Sequence, residues 1–434
     1  MKLTKLFLAL ALFTSVANAQ YATLCPLDLT GYNALPIHIS APQHDVMWAA
    51  TYGYNSGQIN SKTFIKTTDA GATFTIGTIP EPQDRGTSCI FARNADTAWV
   101  GMLDINNGGS NSIWKTTDGG ANWQQQSTTQ FSNSSSNLTT IAFFSADSGV
   151  VIGSPINGAL EIYTTADAGA TWSQVPSMNL PASPTNESVY FNSYSIVGNN
   201  IWFATGLGRV FYSNDKGYNW NATTIGGNTY GLSMTDENNG VVYTNSHDVY
   251  YTTNGGLSWI SRTLGINVFA LAAIPGVSDF FIFRSDIGIF ATTDNFLTYF
   301  LISDAMPYTT DPIQMYDASI GWSDAGEFST DSMMIKISDV LASTISPEAN
   351  RNSISVFPNP IAHGAAMVSF DLDKASKVSL SLLDLSGKVI RVMNTELNAG
   401  KNAVRLDTDG VASGVYLIEM RSEGSLSRSK VVVR

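Results

Sequence analysis

Cysteine is nearly absent from this 434-residue chain; Cys25 and Cys89 are the two present. Two thiols cannot knit a disulfide scaffold or fill a four-sulfur metal site, so an apolar core must hold the fold. In an exported chain they could pair and tie the N-terminus to a strand-like run at 87–91. Two separate buried thiols are an equal reading, because spacing carries no geometry. Histidine is almost as scarce. His38, His44, His247 and His363 lack ligand spacing, and neither metal nor cofactor is expected. The Gly-Gly pairs at 108–109, 119–120, 226–227 and 255–256 lack the strand–loop–helix context of a phosphate cradle. Charge is also thin, at 13% of residues, and basic residues are the rarer kind. Residues 21–350 hold 10 Lys and Arg against 27 Asp and Glu, net −17, whereas 351–434 hold 11 against 8, net +3. An acidic first part argues against nucleic acid and anionic membrane as partners. No run beyond residue 20 is long and apolar enough to span a bilayer as a helix. The apolar run at 6–16 follows Lys2 and Lys5 and ends in Ala17-Asn18-Ala19, the pattern of a cleavable export leader over 1–19.

What the chain does have is a repeat. An eight-residue turn occurs at 67–74 (TTDAGATF), 116–123 (TTDGGANW), 165–172 (TADAGATW), 213–220 (SNDKGYNW), 252–259 (TTNGGLSW) and, in worn form, 292–299 (TTDNFLTY). Its key positions, Asp69, Asp118, Asp167, Asp215, Asn254 and Asp294, are 49, 49, 48, 39 and 40 residues apart. A period of this length marks one supersecondary unit repeated, commonly a four-stranded blade. The chemistry is local. The Asp side chain can accept backbone N–H groups of its own turn, Gly supplies positive φ, and the closing aromatic can pack between sheets. A three-strand phrase precedes each turn and recurs once more at 312–337 without one. All nine Trp fall in these phrases, as sheet-to-sheet packing requires.

The turn resembles the Asp-box, or BNR, repeat of sialidase-like and sortilin-like propellers. That resemblance implies an all-β fold, a seven-bladed β-propeller over 20–337, with the Asp-box residues in structural roles. Residues 21–30 are expected to supply the last blade's missing outer strand and so cover an open edge. Because strands alternate in direction, the boxes share one face with the turns joining first and second strands. The opposite face carries longer loops, concentrated in blades one to three, at 52–61, 81–86, 103–111, 125–137 and 175–188. A localised site is expected there, over blades one to three and seven.

Residues 353–434, after a linker at 338–352, read as a small β-sandwich of seven short strands. The pieces Val356-Phe357-Pro358-Asn359-Pro360, Leu383-Asp384-Leu385-Ser386-Gly387-Lys388-Val389, Ser413-Gly414-Val415-Tyr416-Leu417-Ile418 and Lys430-Val431-Val432-Val433-Arg434 resemble the type A C-terminal sorting domain of the type IX secretion system of Bacteroidota. This implies passage through that machinery to the cell surface or medium, removal of the tail, and either lipopolysaccharide anchoring or release.

For activity, the sialidase resemblance lacks its chemistry. Sialidases clamp a substrate carboxylate with three Arg. The ring has Arg85, Arg93, Arg209, Arg262 and Arg284, with Arg209 opening a strand and Arg284 read as a loop residue, and no such triad. Other glycosidases need two carboxylates flanking the bond. Asp104, Glu161, Glu187, Asp324 and Glu327 are candidates, Asp104 with Glu327 foremost, against the alternative of solvated loop carboxylates. The favoured expectation is a secreted or cell-surface, non-enzymatic binding propeller for a glycan or extracellular protein, with Tyr52, Tyr54, Asp104, Asn106 and Phe131 as contacts. The alternative is a secreted glycoside hydrolase.

Overall fold

The computed structural model describes residues 22–27, 34–53, 61–82, 85–103, 111–126, 136–184, 186–244, 248–264, 266–277, 279–285, 288–297, 299–303, 313–328, 331–338, 354–357, 359, 361, 364–372, 374–384, 388–398, 400–422 and 425–433. The leader, the linker and the predicted contacts Tyr54, Asp104, Asn106 and Phe131 lie outside them. The chain divides into two compact units, Met1–Val340 and Leu341–Arg434.

The described residues of the first unit form seven four-stranded antiparallel sheets, arranged as in a propeller. Blade one is Ala34–Gln43, Val46–Gly53, Thr63–Thr67 and Thr75–Thr78. Blades two to six follow in the same order, innermost strand first, with innermost strands Gly86–Ala92, Leu138–Phe143, Val189–Val197, Thr229–Met234 and Ala270–Ala273. The innermost strands touch their neighbours in turn, and the first strand of blade seven, Ile313–Met315, returns to blade one. Blade seven takes its second and third strands from Ile320–Phe328 and Asp331–Ser338, and its outer strand from the chain's start: Ala22–Pro26 pairs with Met333–Ile337. The strands are β-branched and aromatic, suiting sheets covered on both faces. Trp48, Trp99, Trp202 and Trp322, all in second strands, are at most 3% exposed.

The first five box turns are built from the same bonds. In the first, the Thr73 amide donates to Asp69 Oδ1 at 2.9 Å, the Thr73 hydroxyl donates to Oδ2 at 2.6 Å, and the Gly71 amide donates to Thr67 Oγ1 at 2.9 Å. Asp118, Asp167 and Asp215 repeat the pattern, and Asn254 keeps it with an amide oxygen. Those bonds favour the charged carboxylate and hold Asp69 down to about 2, led by the Thr73 hydroxyl. The fifth box residue has positive φ, and it also lies against the preceding blade: a Cβ on Gly71 would fall 2.5 Å from Trp322, and one on Gly120 2.5 Å from Phe64. Glycine is therefore required twice over there. The worn box instead places Phe296 at φ 62, and that ring is buried against Phe281 and Phe283. Packing offsets the strain a bulky side chain meets in this region.

Blade joints carry a second device, which spacing did not foretell. Lys66 lies 4.9 Å above the Trp48 ring and donates to the Gly119 carbonyl of the next box at 2.8 Å. Lys115 does the same over Trp99 at 5.0 Å, reaching the Ala168 carbonyl at 3.1 Å, and Lys336 reaches the Ala70 carbonyl at 3.2 Å. Burial against the rings lowers both Lys66 and Lys115, opposed by nearby Asp carboxylates.

One reading left open by the sequence is decided, and one needs correction. Cys25 and Cys89 are unpaired thiols. They belong to different core clusters, Cys25 with Trp322 and Met334, Cys89 with Trp99 and Ile141. Arg284 is not in a loop but in the second strand of blade six, Phe281–Ser285, only 1% exposed and donating to Ser323 Oγ at 3.2 Å. Blade two's outer strand comprises Gln124–Gln125, and Asn122 before it is held in the box by Asp118.

The second unit is two sheets around one core. Ser355–Phe357, Ala365–Leu372 and Gly400–Asp407 form one; Val389–Leu397, Ser376–Leu383, Gly414–Ser422 and Ser425–Val433, in that order, form the other. Val368, Phe370, Leu380, Leu382, Ile418, Met420 and Val431 fill the space between them. Asn359 Oδ1 accepts the Val432 amide at 2.9 Å and the Ile361 amide donates to the Val432 carbonyl at 2.7 Å. Asn359 and Ile361 thus fasten the terminal basic strand.

Candidate binding face

The face opposite the boxes is formed by blade-to-blade links and the turns between second and third strands. Two links each carry a glutamate inward. Glu81, in the link to blade two, has a fully buried side chain that accepts the Ser112 hydroxyl, the Trp114 indole N–H at 3.0 Å and Arg85 at 3.3 Å. Glu187, in the link to blade four, likewise has no exposed side-chain surface. It accepts Arg209 at 2.7 Å and the Thr205 hydroxyl at 2.8 Å. Buried carboxylates in such settings must be paired, and here each link docks its carboxylate onto the next blade's second hairpin. Glu161 occupies the equivalent start of a third strand in blade three. It is 8% exposed and accepts the Tyr163 hydroxyl at 2.6 Å through Oε1, while Oε2 has no hydrogen-bond partner. Glu161 and Glu187 are therefore core carboxylates rather than solvated ones. The Glu187 pairing needs a link and the next blade to meet, which is why spacing alone did not reveal it.

The sequence-derived contacts are only partly placed. Tyr52 lies in Val46–Gly53, paired with Leu35, and Glu327 in Ile320–Phe328, paired with Ser332, each near the loop-rich end of a second strand. Asp104 follows immediately on blade two's second strand, Ala98–Leu103, and lies outside the described residues. No group of His, Cys, Asp and Glu suited to a metal ion occurs among the described residues.

The channel side of the ring holds a feature that periodicity missed. In blades one, two, three and five the innermost strand bulges by one residue, at positions 37, 88, 139 and 230. In blade four, Val189 pairs with Thr205 and Tyr194 with Phe203, so residues 190–193 stand opposite Ala204 alone. The enlarged bulge carries Phe191 across the ring to His38 of blade one, ring centroids 6.2 Å apart. His38 is buried and, deprived of water, is lowered to about 4. Tyr190 meets Tyr230 of blade five with centroids 5.4 Å apart; burial, then the Tyr230 hydroxyl, raises Tyr190.

Comparison with known proteins agrees with this architecture. Residues 81–163 and 156–267 match the family profile of the photosynthesis system II assembly factor YCF48, and residues 355–434 match that of the secretion system C-terminal sorting domain. The protein is thus a β-propeller coupled to a secretion sorting domain. More particularly, the ring is similar to the YCF48 family over residues 81–267, and the tail to a sorting domain of the kind that serves type IX export to the cell surface or beyond. No curated protein matches the chain in sequence. Among solved structures, YCF48 bound to D1 peptide is similar at TM-score 0.55 and 13% identity, over 74% of this chain and 96% of that one. U3-55K is similar at TM-score 0.54 and 10% identity, over 74% and 99%. At these identities the likeness is of fold. No helix among the described residues is long and apolar enough to cross a membrane.

Proposed function

We propose that this is an exported binding propeller that holds a glycan or an extracellular protein on its loop-rich face without turning it over. The observation that carries the reading is the engagement of Glu81 and Glu187: the acidic side chains aimed inward from the links are tied to Arg85 and Arg209, serving the fold. Hydrolysis of a glycoside needs two carboxylates free to exchange protons or attack carbon. The sorting domain supports action outside the cell, where such ligands are met. The solved YCF48 complex is with a peptide, a precedent for binding by this fold. Loop carboxylates remain to be tested directly. Wild type, Asp104→Asn and Glu327→Gln are to be incubated with a broad glycan panel, and both retention and product formation followed. The expected result is retention without products, weakened modestly by either substitution. Robust turnover abolished by one of them would establish the hydrolase instead.

A further inference from the structure

The loop-rich rim of blades four and five leaves part of its aromatic surface exposed. Phe191 and Tyr230 are each 43% exposed, and Leu207, in the turn between the second and third strands of blade four, is exposed as well. A Cβ on Gly206 of that turn would lie 3.5 Å from the Tyr190 hydroxyl, so Tyr190 sits over the turn while its ring meets Tyr230. Tyr230 is exposed and Tyr190 half-buried, and neither hydroxyl bonds to a described residue. In the same bulge Ser193 Oγ is buried without a partner. The bulge exceeds its counterparts by two residues, and those residues go into exposing Phe191 rather than burying it.

We infer that this rim is a carbohydrate subsite, in which Phe191 and Tyr230 offer stacking faces to a neutral pyranose ring and the tyrosine hydroxyls meet its hydroxyl groups. This rests on the reading of the ring as a binding module and names its ligand class. The aromatic faces match the apolar C–H face of a pyranose, and the free hydroxyls match its polar edge. Charge selects neutrality. The link's own carboxylate, Glu187, is buried and neutralised by Arg209, so it offers no free charge to a cation. The net −17 of residues 21–350 repels acidic sugars.

The full chain is to be titrated calorimetrically with cellohexaose, laminarihexaose, xylohexaose and mannohexaose, and with hexagalacturonate and a dodecalysine peptide. Phe191→Ala, Tyr230→Ala and Tyr230→Phe are to be compared, with thermal melting as the check on folding. The expected result is binding of at least one neutral hexasaccharide, weakened roughly tenfold by either alanine and little by Tyr230→Phe. If Phe191→Ala melts early, the Tyr230 pair decides alone. Absence of saccharide binding, or binding indifferent to both alanines, overturns the subsite; binding of the peptide in place of saccharides does so in favour of a basic protein ligand. Saccharide binding that survives both alanines but is lost on deleting residues 104–110 would remove the subsite and leave the binding function intact. Turnover of a saccharide whose binding needs Tyr230 would remove the non-enzymatic reading and leave the subsite.

Discussion

His38 shows how a single side chain can set an acid limit. It is a core residue on the innermost strand of blade one, tilted against Phe191, and burial lowers it to about 4 from an ordinary 6.5. The fold holds it neutral, whereas the unfolded chain takes up a proton as pH falls through the ordinary value. Between those limits the unfolded state binds more protons, so stability is complete above the upper limit and declines as pH falls toward the lower one. Urea midpoints measured between neutral pH and the lower limit should drop less for His38→Leu than for wild type. Equal drops would assign the acid sensitivity elsewhere. The box carboxylates act in a separate window: with Asp69 held to about 2, their contribution is lost only below the ordinary carboxylate range. His38 was visible in the sequence as a histidine in an apolar run, but its partner across the ring, Phe191, was not, since an enlarged bulge leaves no trace in strand periodicity.

The box turn was legible because its chemistry closes within eight residues. Asp215 illustrates it: burial pushes its carboxyl up, but the bonds from Asn219, Ser213 and the turn's amides outweigh this and hold it low. Asp215→Ala should destabilise the ring by about 1 kcal/mol in urea unfolding, the worth of a local hydrogen-bond set at a partly exposed turn, with saccharide affinity unchanged. A loss of affinity at full stability would instead make the box face functional. The joints between blades were not legible. Lys66 meets Gly119, Lys115 meets Ala168, and Glu81 meets Trp114 across tens of residues, so no local spacing announces them. The same limit applies to the site. Its face could be inferred from strand alternation and loop length, whereas which carboxylates are buried and which aromatics exposed depends on tertiary contacts.

At the scale of the whole molecule, the ring depends on its first strand. Ala22–Pro26 covers the edge of Met333–Ile337, and Cys25 and Leu27 enter the core beside Trp322. Deleting residues 22–26 should expose that edge, lower the thermal midpoint and promote association in size-exclusion chromatography. Removing 341–434 should leave the ring's midpoint in place, because each unit has its own core. A ring indifferent to the first deletion would show that closure is dispensable. The seam has a mechanical consequence as well. Ala22 is paired with Ile337 and Pro26 with Met333, so the two directions in which the chain leaves the ring depart from the same end of the seam. Tension applied between them loads the pairs one at a time, starting at Ala22, and peels the strand like a zipper instead of shearing all its bonds together. Machinery that pulls on the tail while the N-terminal side is held therefore works against one pair at a time, and on the other edge of the pulled strand Ser338–Ile320 and Ile337–Gly321 take the load before the Lys336 bond to Ala70 does.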